Sequence, residues 1–170
     1  MRLVAIGWLL SLKARALRLL AQREHSVVEL RRKLLDFALR QEAASQHDAA
    51  RRVREPSPAV AAEIDALMGW LEAGGYLNES RFVESRLRTR APRYGNLRIR
   101  EELDRHGVTL SAQARADLSA SEVERARAVW RRKFDALPAD AAARARQARF
   151  LAGRGFSADA IRRVLRDADD

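Results

Sequence analysis

The sequence predicts an all-helical protein in which tandem three-helix repeats form an elongated, curved array. Apolar residues recur at the spacing of an amphipathic helix, and no stretch of comparable length alternates with the period of two typical of a strand. Similar segments of helix, turn and helix also recur along the chain. The 170 residues suffice for one or two domains, and a short helical repeat buries its apolar face only by stacking on a neighbour.

Four apolar stripes locate the clearest helices. They are Val27, Leu30, Leu34 and Phe37; Val60, Ile64, Leu67, Met68 and Leu71; Val123, Ala126, Trp130, Phe134 and Leu137; and Ile161, Val164, Leu165 and Ala168. Ser26 and Ser157 stand where an N-cap would begin the first and the last of these helices. Pro58 precedes the second helix and the Gly74–Gly75 pair follows it. Pro138 is expected to end the third, because proline cannot continue a helix.

Two segments differ from this pattern. Met1–Leu12 is apolar behind a single Arg, but it has no signal-peptidase site and is too short to cross a bilayer, which takes about 20 apolar residues. We therefore expect either a first helix that runs on towards Arg23 or an extension from an early start codon, in a soluble, cytoplasmic protein. Gln41–Pro58 is polar and contains two prolines, which indicates a linker or an exposed partial helix.

Two turns support the division into repeats. Leu103 precedes Gly107-Val108 and Leu151 precedes Gly155-Phe156, each followed by a hydroxyl residue and another helical stripe. The predicted units are residues 1–75 (an N-terminal extension and repeat 1, with the linker at 41–58), 76–119 (repeat 2) and 120–170 (repeat 3). A second register, which aligns an Ile/Leu-Arg pair in each unit, gives modules of similar size.

The charge indicates a polyanionic partner. Lys and Arg total 33 against 23 Asp and Glu, which gives a net charge of +10, and all but three of the basic residues are Arg. Because the guanidinium group is suited to phosphate and carboxylate, the first expectation is nucleic acid and the second an acidic protein surface. The alternative is that Arg, a good helix former, is abundant here through coding bias. The absence of Cys excludes disulfides, thiolate metal sites and a Cys nucleophile.

Basic clusters recur in separate predicted modules, and they are the candidate nucleic-acid or filament-binding residues. The set is Arg31, Arg32, Lys33, Arg88, Arg90, Arg93, Arg98, Arg100, Arg131, Arg132, Lys133, Arg162 and Arg163. Tyr94 is the best candidate for base stacking, whereas Trp130 falls on an apolar stripe and is expected in the core. The alternative for each Arg is a solvated helix face paired with a nearby carboxylate such as Glu29 or Glu101.

Catalytic and cofactor-binding patterns are missing. His25, His47 and His106 lie far apart without metal-ligand spacing, and neither a glycine-rich phosphate loop nor a nucleophile elbow occurs. His25 and His106 flank predicted helix ends, where a capping or surface role is expected. The sequence therefore predicts no enzymatic activity, no catalytic residue, no metal and no cofactor.

Several segments together resemble the RecX family of regulators of the bacterial RecA recombinase. They are ALRLLAQREHSVVELRRKLL (residues 16–35), GYLNESRFVES (75–85), RYGNLRIREELDRHGV (93–108), VWRRKFDAL (129–137) and FLAGRGFSADAIRRVL (150–165). The resemblance covers most of the chain in the family's order. Asn96 departs from it, because the family often has Pro after the Tyr-Gly pair, and the first dozen residues and the 41–58 segment are peculiar to this sequence.

The resemblance implies a non-enzymatic protein of tandem three-helix repeats. Such a protein binds the RecA filament within its groove, binds DNA, and restrains the ATPase, coprotease and strand-exchange activities of RecA. The expected partners are thus the RecA filament and single- and double-stranded DNA without sequence preference. No membrane is expected, and the chain is expected to act as a monomer.

A helix-turn-helix transcriptional regulator is the alternative function. The helix that ends near His106, the turn at Gly107-Val108 and the helix over Ser111–Leu118 have the required order. The second helix offers only Gln113 and Arg115 as obvious base-reading side chains. A footprint on one palindromic site would favour this alternative over sequence-independent binding.

Overall fold

The computed structural model describes residues 2–45 and 57–166, and every regular element within them is a helix. The helices are α1 (Arg2–Gln22), α2 (Val27–Ser45), α3 (Pro58–Ala73), α4 (Glu79–Arg90), α5 (Asn96–Arg105), α6 (Ala112–Ala120), α7 (Glu122–Arg131), α8 (Ala141–Gly153) and α9 (Ala158–Arg166). The all-helical prediction is confirmed for this part of the chain. The chain divides into two compact units, Met1–Phe82 (unit 1) and Val83–Asp170 (unit 2).

Unit 1 is a three-helix core built from α1, α2 and α3. Its fully buried side chains are Leu12, Ala16, Leu30, Leu34, Ala38, Ile64 and Leu71. The predicted caps are confirmed: the Ser26 hydroxyl accepts the Glu29 N–H at 3.1 Å, and α3 begins at Pro58 and ends before Gly74. The predicted first helix is confirmed as α1. Within the described residues, no helix is long and apolar enough to cross a membrane.

A buried polar cluster lies beside this core and corrects the prediction for His25. The His25 ring is only 1% exposed, because the turn between α1 and α2 folds it inward. Its Nδ1 lies 2.9 Å from the Arg23 carbonyl and its Nε2 lies 3.1 Å from the Lys33 ammonium nitrogen. Nδ1 therefore donates to the carbonyl and Nε2 accepts from Lys33. Glu29, also buried, accepts from both Arg23 and Lys33.

The segment predicted as a linker is partly helical. Its first five residues, 41–45, continue α2, and its last residue, Pro58, is the first of α3. At these ends the helices extend further than the apolar stripes do, and the rest of the predicted linker or partial helix stays a prediction. Residues 46–56, His47 among them, and Ala168 of the fourth stripe lie outside the described residues.

Unit 2 has its main core among α7, α8 and α9. Leu151, Phe156 and Val164 are buried there, and Trp130, predicted in the core, is buried with its indole N–H donating to Gln147 at 2.8 Å. Helix α7 is shorter than predicted, since it ends at Arg131 and not at Pro138. The chain turns so that the Phe134 ring packs edge-on against Phe150, with centroids 5.3 Å apart, and Leu137 is left exposed.

Glycine turns follow α5 and α8, as predicted. Gly107 follows α5 with φ 69° and Gly155 follows α8 with φ 80°, a left-handed conformation that favours glycine. In each turn the next N–H closes back onto the helix, from Val108 to Leu103 at 3.0 Å and from Phe156 to Leu151 at 3.3 Å. The apolar residue after each glycine is then buried in unit 2.

Candidate nucleic-acid interface

Arginines from three elements of unit 2 converge on the ring of Tyr94. Tyr94 lies in the loop between α4 and α5 and is half-buried. Guanidinium carbons lie 4.7 Å (Arg98), 5.8 Å (Arg90) and 6.0 Å (Arg154) from its ring centroid. Arg93, exposed, belongs to the same loop. We call these five residues the Tyr94 cluster.

A backbone junction brings the cluster together. The Gly95 N–H donates to the Arg154 carbonyl and the Leu97 N–H to the Gly155 carbonyl, both at 3.0 Å. A Cβ on Gly95 would lie 2.2 Å from the Gly155 carbonyl oxygen, so any larger residue would separate the two turns. The glycines thus allow the start of α5 to lie directly on the end of α8, which places Arg98 and Arg154 beside the same ring.

Arg125 of α7 fixes the loop that carries Tyr94. Its guanidinium group donates to the carbonyls of Ala91 at 3.2 Å, Tyr94 at 2.8 Å and Leu118 at 2.8 Å, and also to the Asn96 side chain. Burial lowers the pKa of Arg125, but guanidinium ionises so far above neutrality that it stays charged. A charged donor with several carbonyl acceptors is a strong clamp, because each such bond is stronger than a neutral one.

Glu122 joins the starts of two helices next to this clamp. Its carboxylate accepts the Asn96 N–H at 2.9 Å at the start of α5. It also accepts the Ser157 N–H at 3.2 Å and hydroxyl at 2.7 Å at the start of α9. A buried negative charge is favourable there, because both helix N-termini carry positive partial charge. The carboxylate is thereby used in holding the fold together.

The Tyr94 cluster carries a surplus of positive charge. Glu102 contacts Arg90 at 3.0 Å. The Arg98 and Arg154 guanidinium groups instead reach backbone carbonyls, of Gly153 at 3.3 Å and Arg93 at 3.5 Å. Backbone carbonyls carry no net charge, so the positive charges of Arg98 and Arg154 stay available to an anion.

The other residues of the predicted set fall into two groups. Arg31, Lys33 and Arg162 are paired with the carboxylates of Asp65, Glu29 and Asp159. The rest are exposed and have no side-chain partner within the described residues: Arg32, Arg88, Arg100, Arg131, Arg132, Lys133 and Arg163. Arg31, Arg32 and Lys33 belong to unit 1 and the remainder to unit 2. The structure thus gathers Arg90, Arg93 and Arg98, and it does not bring the whole set together.

Comparisons with known proteins place the chain in a family. A profile described as RecX, third three-helix domain, matches residues 120–165, the stretch that contains α7 to α9. The regulatory protein RecX of Herbaspirillum seropedicae is 47% identical over 161 residues, covering 94% of this chain and 92% of that protein. The regulatory protein RecX of Ralstonia pickettii is 41% identical over 163 residues, covering 95% and 90%.

The chain belongs to the RecX family. A crystal structure of RecX from Lactobacillus salivarius has the same fold, with a TM-score of 0.65 at 17% identity over 96% of this chain and 98% of that one. The predicted family and its three-helix fold are confirmed. The RecX family is one of regulatory proteins linked to recombination and DNA repair, and it is not an enzyme family. No group of metal-binding side chains occurs among the described residues.

The structure has the helix, turn and helix on which the alternative function depends. Helices α5 and α6 flank the turn at Gly107 as expected, and the Ser111 hydroxyl caps α6 by accepting the Ala114 N–H at 3.1 Å. Of the two candidate base-reading side chains, Gln113 is held by another side chain and Arg115 makes one long contact to a backbone carbonyl. Gln113 donates to Asp117 at 2.7 Å, and Arg115 reaches the Leu110 carbonyl at 3.5 Å.

The sequence analysis did not identify several exposed or half-exposed residues, one in the Tyr94 cluster and others in unit 1. Arg154 joins the cluster although it lies 61 residues from Arg93. Its only sequence signal is its position between two glycines at a helix end.

In unit 1, Trp70 and Tyr76 are both exposed and stack at 5.2 Å, with the Lys13 ammonium 3.6 Å from the Trp70 ring centroid. The signal for Trp70 was available, because it lies off the apolar stripe of α3.

Proposed function

We propose that this protein is a non-enzymatic regulator of the RecA recombinase. It would bind the RecA–DNA filament, and DNA itself, and inhibit the ATPase, coprotease and strand-exchange activities of RecA. The observation that carries the proposal is the Tyr94 cluster, in which Arg98 and Arg154 come together with no carboxylate partner in the part of the chain that the structure describes. Membership of the RecX family supports it, since its relatives are named regulatory proteins.

The chemistry of the cluster suits phosphate. Guanidinium groups donate in a planar fork that matches phosphate oxygens, and the Tyr94 ring lies within cation–π distance of three of them. Such contacts do not read bases, so single- and double-stranded DNA would both bind without sequence preference. Binding would also weaken steeply with salt, because each neutralised phosphate releases condensed counterions.

The exposed basic residues outside the cluster would add modest contacts. Arg32 in unit 1 and the Arg131–Lys133 run in unit 2 are exposed. Contacts spread over one chain add through effective concentration, provided that the partner is long enough to be reached by several at once. A filament meets that condition. A monomer with repeats at residues 1–75, 76–119 and 120–170 suffices for this mode of binding.

The test removes three charges from the cluster. We expect Arg93→Gln, Arg98→Gln and Arg154→Gln together to lower the slope of log affinity against log salt by about 2 on single-stranded DNA, at roughly 0.7 per phosphate contact. The measurement is a salt titration with a labelled thymidine oligonucleotide and with a duplex. Inhibition of DNA-dependent ATP hydrolysis by RecA should weaken in parallel.

The matched control removes the same charge elsewhere in unit 2. Arg146, Arg149 and Arg166 are exposed and have no side-chain partner among the described residues, so their triple Gln variant should keep most of its affinity. Equal losses in the two variants would show that total charge matters and the cluster does not. The whole proposal fails if the unaltered protein in stoichiometric excess leaves ATP hydrolysis and strand exchange by RecA unchanged.

A further inference from the structure

A concave surface separate from the Tyr94 cluster lies in unit 2, between the start of α5, helices α6 and α7, and the start of α9. It is a cleft of about 420 Å³ with an aliphatic floor formed by Leu97, Leu110, Leu118 and Val123. Leu97 is 45% exposed, so its apolar side chain is accessible to a ligand in the cleft. The volume is in the range of sites that bind small molecules or short peptide segments.

Three arginines line the same cleft. Arg100 and Arg163 are exposed and have no side-chain partner among the described residues. Arg115 is also exposed, and its guanidinium group makes one long contact of 3.5 Å to the Leu110 carbonyl. The cleft therefore combines an aliphatic floor with arginines that can donate to an incoming anion.

The acidic residues of the cleft do not neutralise these arginines. Glu122 is taken up by donors at the starts of α5 and α9, and Asp159 contacts Arg162 at 3.1 Å. An adjoining groove of about 270 Å³ shares Arg100, Leu110 and Arg115 with the cleft. The same two arginines can therefore serve a segment longer than the cleft alone would hold.

The lining chemistry separates two kinds of ligand. Nucleic acid would bring phosphates for the arginines, but none of the described residues that line the cleft is aromatic and could stack a base. An acidic peptide would bring carboxylates for the guanidinium forks and an aliphatic side chain for the floor. We propose that this cleft binds an acidic peptide segment of a protein partner, in which carboxylates flank an aliphatic side chain.

This assignment divides the predicted basic set between two partners. Arg100 and Arg163 contact protein, whereas the Tyr94 cluster contacts phosphate. The proposed peptide site does not depend on DNA binding. An experiment can therefore contradict the peptide site without contradicting the proposed function, and the reverse.

The test uses a fluorescein-labelled decapeptide in which pairs of glutamate alternate with leucine, measured by anisotropy on the full chain. We expect Arg100→Gln with Arg163→Gln to weaken binding at least about tenfold, because charge-assisted hydrogen bonds are lost from both sides of the cleft. Arg146→Gln with Arg149→Gln, which removes the same charge outside the cleft, should change affinity less than about twofold. A peptide with glutamine in place of glutamate should not bind.

Two further measurements test the aliphatic contact of the peptide and its independence from DNA binding. Leu97→Ala retains every charge and should weaken the peptide about threefold through lost aliphatic contact. The Arg100 and Arg163 double variant should bind a thymidine oligonucleotide nearly as well as the unaltered chain does. The proposal is overturned if the unaltered chain does not bind the peptide at millimolar concentration or if the two double variants lose affinity equally. It is also overturned if the oligonucleotide loses as much affinity as the peptide.

Discussion

The main basic clusters of the two units differ in how far they are paired with carboxylates. In unit 1, two of the three residues of the basic run 31–33 are matched to carboxylates, Lys33 to Glu29 and Arg31 to Asp65, while Arg32 has no side-chain partner among the described residues. In unit 2, Arg98 and Arg154 lie beside the Tyr94 ring and donate to backbone carbonyls, and neither has a carboxylate partner among the described residues. The basic run of α2 therefore serves partly to hold its own unit together, whereas the Tyr94 cluster keeps its charge available to a partner.

The difference shows that an arginine cluster in a sequence is not by itself a positive surface. What decides is whether the fold brings a carboxylate to it from elsewhere in the chain. Asp65 lies 34 residues from Arg31 and still neutralises it, with contacts of 2.7 and 3.2 Å. In unit 2 the nearby carboxylate of Glu122 is held by helix N-termini, so it is withheld from the arginines.

The largest expected effect comes from the junction that assembles the Tyr94 cluster. Gly95→Ala would place a Cβ 2.2 Å from the Gly155 carbonyl oxygen, and the backbone there has no flexible atom that can give way. We expect unit 2 to lose about 3 kcal/mol of stability, since overpacking of this kind costs roughly 1–3 kcal/mol and the hydrogen bond across the junction is lost as well. Hydrogen exchange of the α5–α9 amides measures the loss, with the α1–α3 amides as an internal reference.

A glycine two residues from the junction provides the control. A Cβ on Gly153, the last residue of α8, meets nothing within 4 Å. Gly153→Ala should leave unit 2 as stable or raise its stability by up to about 1 kcal/mol, because alanine favours the helix. Equal destabilisation by the two substitutions would contradict the junction. So would a Gly95→Ala variant that keeps full stability and full DNA affinity.

The next effect is specific to unit 1 and depends on pH. Burial raises the pKa of Glu29, but the hydrogen bonds from Arg23 and Lys33 outweigh it and lower that pKa to about 2 from an ordinary value of 4.5. A lowered carboxyl pKa stabilises the fold above pH 4.5, and this stabilisation is lost as the pH falls towards 2. Because Arg23 and Lys33 are partly exposed, we expect a loss on the order of 2 kcal/mol.

His25 adds to the acid sensitivity of the same unit. Burial lowers the pKa of His25 below 6.5, although its hydrogen bond to the Arg23 carbonyl raises it. The neutral ring is therefore favoured in the fold, and stability begins to fall below pH 6.5. Hydrogen exchange of the α1–α3 amides between pH 7 and 3 should show this loss, with a weaker one in α7–α9. Glu29→Gln should abolish the part below pH 4.5, and an unchanged profile in that variant would contradict the assignment.

Local features of the fold could be predicted from the sequence, and long-range pairing could not. The caps at Ser26 and Ser157 and the turns at Gly107 and Gly155 follow from neighbouring residues, and they were predicted correctly. Within the candidate site, the sequence indicated Tyr94, Arg90 and Arg98. It gave no sign that Arg125 is half-buried against carbonyls more than 30 residues away, because its neighbours along the chain are of the same kinds as those beside the exposed arginines.

The smallest effect tests the comparison directly on neighbouring residues of α2. Arg31 is paired with Asp65, whereas Arg32 is exposed and has no side-chain partner among the described residues. If availability of charge decides, Arg32→Gln should lower the salt slope of DNA binding by just under 1, and Arg31→Gln should change it less.

The decisive variant is Asp65→Asn, which leaves Arg31 in place but removes the charge that holds it. Its salt slope should steepen by up to about 0.9, the contribution of one duplex phosphate contact, while the unfolding midpoint changes little because the pair is exposed. Two results together would contradict this: DNA affinity that is unchanged in Asp65→Asn, and DNA affinity that falls equally in Arg31→Gln and Arg32→Gln. They would show that the ion pair does not keep Arg31 from DNA, and that the number of arginines in the sequence predicts DNA binding without the structure.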